Sequence, residues 1–141
     1  MASDFSENLA SVRKDNKWGY IDKNGKLVID YLYDKAKSFK EGLAPICINN
    51  KWGYIDKLGK LVIDTKFDYA YSFNEGLARV NVKKGRFLQG YWGFINKEGE
   101  MEIQPMFKSV SDFLEGYAQI NESKNNYIDK SGKFIINGSI K

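Results

Sequence analysis

Apolar and polar residues alternate with a period of two in several short stretches, which predicts half-buried β-strands. In residues 77–82 an alanine and two valines fall on one face, while Arg79 and Asn81 fall on the other. The equivalent stretches elsewhere in the chain keep the apolar face and change the other one. The inner face therefore predicts a shared core, and the outer face is where the copies differ.

Two neighbouring stretches lack this alternation and are apolar on both sides. In residues 51–56, Trp52 and Tyr54 share one face while Gly53 and Ile55 share the other. The stretch 61–63 is apolar throughout. A strand pair of this kind must be covered on both sides, so we expect a buried third strand and neighbouring repeats stacked on each other. The glycine of the Trp-Gly pair would let a ring or backbone approach closely.

The connection between these two strands has the clearest turn signal in the chain. Asp56 opens a four-residue segment that Gly59 closes, and the same pattern recurs at 22–25, 96–99 and 129–132. An aspartate side chain can accept a backbone N–H two residues later, and glycine adopts a positive φ without strain. We predict a type I turn followed by a left-handed glycine bulge.

Two sequence blocks alternate along the chain and define an internal repeat. The block Trp-Gly-aromatic-Ile occurs at 18–21, 52–55 and 92–95, and in eroded form at 125–128. The block Phe-x-Glu-Gly-Leu-Ala begins at Phe39 and Phe73, and in altered form at Phe5 and Phe113. The spacing predicts a single domain over 1–141 with repeats at about 5–38, 39–72, 73–112 and 113–138. The connection that contains 83–90 carries the variation in length.

The segment before each Glu-Gly pair has two interpretations. It is either a short helical turn that the glycine stops, or a short outer strand followed by another hairpin. Asn8 at the glycine position supports a positive φ there, because asparagine tolerates that region best after glycine.

We therefore predict an all-β fold, mainly β with short helical turns, built as a tandem array of about four stacked antiparallel β-meander or hairpin repeats. An open solenoid-like array is favoured, since the chain starts and ends at different strands of the repeat and no closing strand is evident. A small β-propeller-like closure is the alternative.

The pattern Lys-Trp-Gly-Tyr-Ile-Asp-Lys-x-Gly-Lys-x-Val-Ile at 51–63, together with Phe-x-Glu-Gly-Leu-Ala-x-Val at 73–80, resembles the WG-repeat (KWG) family. The resemblance covers nearly the whole chain. It implies a bacterial β-repeat protein of a family with no common enzymatic activity. The fourth repeat departs from the pattern, because Asn125 and Asn126 replace Trp-Gly. A polar final repeat suits an end cap.

Composition narrows the function classes. The 141 residues carry 22 basic and 18 acidic side chains, a net charge of +4, without a charged block. Neither a membrane span nor a secretory signal is evident, so we expect a cytoplasmic protein. Histidine is absent and Cys47 is the single cysteine, which argues against an enzyme and against a cysteine-based metal cluster. We predict no catalytic residue, no metal and no cofactor, and a core position for Cys47.

Repeated residues are explained by the scaffold better than by a ligand. The three tryptophans could stack on sugars or single-stranded bases, but their fixed place beside a glycine favours the core. The turn lysines could line a phosphate-binding rim (Lys23, Lys57, Lys97 and Lys130). A matching glutamate column balances them (Glu7, Glu41, Glu75 and Glu115), and no nucleic-acid motif accompanies them. Asp22, Asp56 and Asp129 are turn openers rather than catalytic acids.

Function is expected where the repeats differ. The 83–90 loop, which has outgrown its counterparts, contains an arginine and a phenylalanine, two residue types suited to binding hot spots; a tolerated insertion is the other interpretation. The candidate partner-binding residues are Arg86, Phe87, Arg79, Tyr69, Tyr71, Tyr31 and Tyr33. The leading hypothesis is a non-catalytic module that binds a protein partner of unknown identity, in a more specific form as an inhibitor or immunity protein. The alternative is a glycan- or nucleic-acid-binding repeat protein, and the sequence leaves the oligomeric state open.

Overall fold

The computed structural model describes residues 2–83, 89–121 and 126–136, which form strands and turns without a helix. The chain divides into two compact units, Met1–Ser72 and Phe73–Lys141. The strands of the first unit are β1 (Ala10–Lys14), β2 (Lys17–Ile21), β3 (Leu27–Tyr33), β4 (Lys35–Ala36), β5 (Ala44–Ile48), β6 (Lys51–Ile55), β7 (Leu61–Phe67) and β8 (Tyr69–Ala70). Those of the second unit are β9 (Ala78–Val82), β10 (Tyr91–Ile95), β11 (Met101–Phe107), β12 (Tyr117–Gln119), β13 (Asn126–Asp129) and β14 (Phe134–Ile136).

The strands pair as antiparallel meanders, which confirms the predicted all-β repeat array. In the first unit β1-β2-β3 form one sheet and β4-β5-β6-β7 another. In the second unit the neighbours are β11-β10-β9 and β12-β13-β14. The short strand β4 pairs with β5, with Ala36 opposite Ile46. The second sheet of the first unit therefore takes its outer strand, β4, from the end of the preceding sequence repeat. The choice between an open array and a ring stays a prediction.

The glycine of the Trp-Gly pair is required by a close backbone approach, as predicted. A Cβ atom on Gly53 would lie 2.4 Å from the carbonyl oxygen of Ile63 on the next strand. The register between β6 and β7 shifts at this point, between the pairs Trp52–Phe67 and Tyr54–Ile63. A Cβ atom on Gly19 or on Gly93 would lie at the same 2.4 Å from the carbonyl oxygen of Ile29 or of Ile103, respectively. The Trp-Gly motif thus marks a register shift at which the backbones of two paired strands come unusually close.

The predicted aspartate turn is confirmed in its details. The N–H of Gly59 donates to the carbonyl oxygen of Asp56 at 3.0 Å, and the N–H of Leu58 donates to the Asp56 carboxylate at 2.9 Å. Gly59 has a φ of 83°. This is a type I turn with a left-handed glycine, stabilised by its own aspartate.

The Glu-Gly pair forms the tip of a second hairpin. Glu41 and Gly42 have φ values of 53° and 84°, and Lys40 and Leu43 exchange backbone hydrogen bonds of 2.9 and 3.1 Å. Two successive left-handed residues make a type I′ turn and cannot continue a right-handed helix. The short helical turns of the prediction are therefore replaced, throughout the described residues, by the hairpin alternative. Asn8 takes the glycine position with a φ of 70°.

Burial differs from the expectation at two places. Leu61 and Val62 are 46% and 43% exposed, so the third strand is not buried along 61–63 and only Ile63 faces the core there. Conversely, both faces of β5 are covered, since residues 44–47 are all buried. Cys47, opposite Lys35 on β4, is 2% exposed, as predicted for a core residue. Burial raises the pKa of the Cys47 thiol.

A cluster of buried apolar side chains lies within each unit. The first cluster contains Leu9, Tyr20, Ile29, Tyr33, Phe39, Ala44, Ile46 and Ile55, with Trp18 packed against it. The second consists of Leu77, Phe94, Ile103, Phe107, Val110, Phe113, Ala118, Ile120 and Ile128, with Trp92 packed against it.

Neighbouring repeats within a unit contact each other through the Glu-Gly hairpin. The Glu7 carboxylate of the first repeat accepts the N–H of Gly42 at 3.0 Å and lies 3.4 Å from the Lys57 ammonium. In the second unit Glu75 accepts the N–H of Gly116 at 2.8 Å and lies 3.4 Å from Lys130. The glutamates thus fix one repeat on the next and also pair with lysines of the predicted rim.

Candidate binding sites

Two positions of the repeat carry different side chains in the first three repeats. They lie just after the seven-residue strands β3, β7 and β11. The two residues of each pair are i and i+2 in extended chain, so their side chains point to the same side. The intervening residues Ala70 and Val110 are buried, and Ala36 packs against the core of the first unit. We call the outward pairs the variable positions: Lys35 and Lys37, Tyr69 and Tyr71, and Ser109 and Ser111.

In the first unit these residues form a cluster around a lysine, the Lys37 cluster, made of Lys37, Trp52, Tyr69 and Tyr71. The Lys37 ammonium lies 3.7 Å from the ring centre of Tyr71, 4.4 Å from that of Tyr69 and 4.9 Å from that of Trp52. It also donates to the carbonyl oxygen of Ala70 at 3.1 Å. The Tyr69 ring lies 5.1 Å from both other rings. A cation held by three aromatic faces is fixed in position.

The side chains of the Lys37 cluster differ in exposure, so one is buried beneath the cluster and another faces solvent. Trp52 is 3% exposed, which confirms its predicted place in the core, whereas Tyr69 is 36% exposed. A cation over an aromatic ring contributes about 0.5 to 2 kcal/mol according to its desolvation. The cluster therefore presents a rigid tyrosine beside a positive charge, a combination that suits a binding hot spot.

In the second unit the serine pair leaves room for a cavity of about 270 Å³, lined by Arg79, Trp92, Ser109, Val110, Ser111 and Gln119. The Arg79 guanidinium donates to the Asp112 carboxylate at 2.8 Å and to the Val110 carbonyl at 3.0 Å, and lies 5.7 Å from the Trp92 ring centre. The cavity thus combines an indole surface with hydroxyl, amide and guanidinium groups.

The candidate residues predicted from sequence have different locations. Tyr69 and Tyr71 meet in the Lys37 cluster, and Arg79 lies at the cavity of the second unit. Tyr31 is half-buried, with the Lys14 ammonium 6.0 Å from its ring centre. Tyr33 is 4% exposed and belongs to the core, where burial raises the pKa of its hydroxyl. Arg86 and Phe87 lie outside the described residues.

The sequence patterns do not point to the residues that complete these sites, namely Lys37 in its cluster and Ser109, Ser111 and Gln119 at the cavity. Aligning the variable positions of the repeats would have found Lys37, Ser109 and Ser111, since they occupy the places of the predicted tyrosines. The sequence gives no sign that the Lys37 side chain reaches across to the tryptophan of the next repeat.

Within the described residues, no group of three or more Cys, Asp or Glu side chains could hold a metal ion. In the same ranges, no helix has the length and apolar character to cross a membrane.

Similar meanders, with a constant frame and changing outward side chains, define a β-repeat protein. The chain belongs to the WG-repeat family, because the family model described as WG containing repeat matches residues 1–18, 18–52, 52–85 and 92–125. This confirms the resemblance seen in the sequence, and membership suggests a repeat-based binding module. No curated protein and no solved structure matches the chain.

Proposed function

We propose that the chain is a non-catalytic binding module that presents a variable repeat face and the 83–90 loop to a protein partner. The observation that carries this proposal is the change from lysines to tyrosines to serines at two positions of an otherwise constant frame. A rigid scaffold with changing surface side chains is how repeat proteins generate binding specificity. Tyr69 and Tyr71 supply the aromatic contact area that protein interfaces favour.

Charge favours a protein partner over a nucleic acid. Two lysines of the possible phosphate-binding rim, Lys57 and Lys130, each lie 3.4 Å from a glutamate. Phosphate contacts need lysine and arginine side chains whose charge is available to the backbone of the nucleic acid. The glutamates reduce that availability at both positions.

More specifically, we propose that the partner is a toxin or another effector, which the module blocks. Such an inhibitor or immunity protein needs a shaped and rigid surface, and needs no catalytic group. We expect it to act in the cytoplasm.

Affinity capture from the source cell, followed by mass spectrometry, tests the proposal. The baits are the wild-type chain, Tyr69→Ala and the control Leu58→Ala, which removes a side chain that is 90% exposed on a turn. We expect the wild type and the control to capture the same partner, and Tyr69→Ala to lose at least about tenfold in affinity for it. Equal capture by all three baits would remove the Lys37 cluster from the proposed surface.

The loop is tested separately, because Arg86 and Phe87 are the residues with which it was predicted to bind. Replacing both with alanine should weaken the binding of the same partner and leave the thermal unfolding of the chain unchanged. An unchanged affinity would identify the loop as a tolerated insertion.

A glycan is the second candidate ligand, and the cavity beside Trp92 favours it. An indole surface with hydroxyl, amide and guanidinium groups around it is suited to a sugar ring, which has an apolar face and a polar edge. A glycan array probed with wild type and Trp92→Ala separates the two candidates. Binding that is lost in Trp92→Ala would support the glycan, and an array without signal would favour the protein partner.

A further inference from the structure

A cavity of about 760 Å³ in the second unit is lined mostly by residues of the fourth repeat, together with Asn74, Ser111 and Asp112 of the third. Aromatic and aliphatic side chains make up much of its wall, namely Phe113, Leu114, Tyr117 and Tyr127, and the Glu115 side chain lies at the same cavity. Leu114 is 73% exposed and Tyr117 is 39% exposed. A surface of this size and character is suited to receive another group.

The equivalent surface of the first repeat is covered by a hairpin. There the Phe39 ring packs edge-on against Tyr20, with the ring centres 4.9 Å apart. The Tyr20 hydroxyl donates to the carbonyl oxygen of Lys37 at 2.6 Å, just before that hairpin. Glu7 accepts the N–H of Gly42 from its tip. The sequence repeat maps Tyr20 and Glu7 of this surface onto Tyr127 and Glu115 of the fourth repeat.

The third repeat shows the same arrangement in the second unit. The Phe113 ring packs edge-on against Phe94 at 4.7 Å, and Glu75 accepts the N–H groups of Glu115 and Gly116 at 2.5 and 2.8 Å. The cavity of the fourth repeat therefore has the walls of a site for a Phe-x-Glu-Gly-Leu hairpin. We call it the hairpin socket, defined by Phe113, Leu114, Glu115, Tyr117 and Tyr127.

The hairpin at residues 5–9, which we call the N-terminal hairpin, has the backbone shape of the hairpins that cover the equivalent surfaces of the first and third repeats. Glu7 and Asn8 have φ values of 53° and 70°, and Ser6 and Leu9 exchange backbone hydrogen bonds of 2.9 and 3.1 Å. The hairpin is thus already formed. Its Phe5 is 46% exposed, whereas the equivalent phenylalanines of the three other hairpins are at most 2% exposed (Phe39, Phe73 and Phe113).

We propose that the hairpin socket of one copy of the chain binds the N-terminal hairpin of a second copy. By the geometry of the internal repeats, the Phe5 ring packs on Tyr127 and the Asn8 N–H donates to the Glu115 carboxylate. The Lys23 ammonium then approaches Glu115, as Lys57 approaches Glu7 and Lys130 approaches Glu75, each at 3.4 Å. Two different surfaces meet, so the contact is head to tail, with the N-terminal hairpin as the head and the hairpin socket as the tail, and further copies add to it until the assembly closes into a ring.

Sedimentation velocity from about 1 µM to about 1 mM tests the contact, since weak specific contacts fall in this range. The variant Phe5→Ala blocks the N-terminal hairpin, and the variant Leu114→Glu blocks the hairpin socket. Both substitutions change exposed side chains, so we expect both variants to fold. Circular dichroism checks this. The control is Leu58→Ala, which removes a side chain outside both surfaces.

We expect the wild type and Leu58→Ala to grow in size with concentration, and each blocked variant to associate at least about 30-fold more weakly. An equimolar mixture of the two blocked variants should form a pair and stop there, because one intact head meets one intact tail. A wild type that stays monomeric to about 1 mM overturns the proposal. Association that survives either substitution, or a mixture that fails to pair, overturns it as well.

Discussion

The glycine of the Trp-Gly pair gives the sharpest test of the repeat architecture. In Gly53→Ala the added methyl carbon would lie 2.4 Å from the Ile63 carbonyl oxygen and 2.8 Å from two backbone atoms of Asp64. All three contacts are with backbone, so no side chain can rotate away. The strand β7 would have to move away from β6 at the register shift on which the repeat is built.

The structure indicates the size of the effect. The oxygen is about 1 Å closer than the roughly 3.5 Å at which nonbonded atoms attract each other. Overpacking that side chains can relieve costs about 1 to 3 kcal/mol, so a clash with backbone should cost about 3 to 5 kcal/mol. That is a large part of a total stability of about 5 to 15 kcal/mol. For a chain of this length it corresponds to a fall in Tm of about 10 °C or more.

Urea unfolding followed by tryptophan fluorescence measures this loss, because Trp52 is the neighbour of the substituted residue. The matched control is Gly25→Ala, where φ is 81° and no heavy atom beyond the adjoining residues lies within 4 Å of the added carbon. There only the left-handed backbone opposes the side chain, at about 1 to 2 kcal/mol. If Gly53→Ala were no more destabilising than Gly25→Ala, the close approach would not be the reason for the Trp-Gly motif.

Three further predictions follow from single contacts. Tyr54→Phe removes the 2.6 Å hydrogen bond to the Tyr71 carbonyl and should cost about 1 kcal/mol in urea unfolding; no loss would show that water replaces it. The Gly116 N–H holds the pKa of Glu75 below its usual range, so this stabilisation is complete above the ordinary glutamate pKa of about 4.3 and is lost as the pH falls through the lowered value. Glu75→Gln should flatten the pH dependence of Tm in that acid range, and an unchanged slope would contradict the assignment. The Cys47 thiol, buried and with a raised pKa, should react with a disulfide reagent only as fast as the chain opens, and a rapid reaction in the folded protein would contradict its burial.

Local sequence rules determined much of the scaffold. The turn from Asp56 to Gly59 follows from one side chain that accepts a neighbouring N–H and one residue without a Cβ, and both effects act within four residues. The two-residue alternation located the first strand, and the fixed spacing of the Trp-Gly block located the repeat. The sequence of the Glu-Gly tip is compatible with both a helical stop and a hairpin, because either one needs a left-handed glycine. The second left-handed residue, Glu41, decided for the hairpin, and its φ is not visible in its side-chain type.

Tertiary structure decided which surfaces are covered and what lies beside them. Leu61 and Val62 read as buried in the sequence but remain exposed, since burial depends on whether another layer lies over a strand. The Lys37 cluster brings together residues up to 34 positions apart, and its geometry depends on the stacking of one repeat on the next. The sequence by itself thus determined the repeated frame, which local conformational preferences specify. The contacts between the residues that differ depend on distances from one repeat to the next, and only the folded chain fixes those distances.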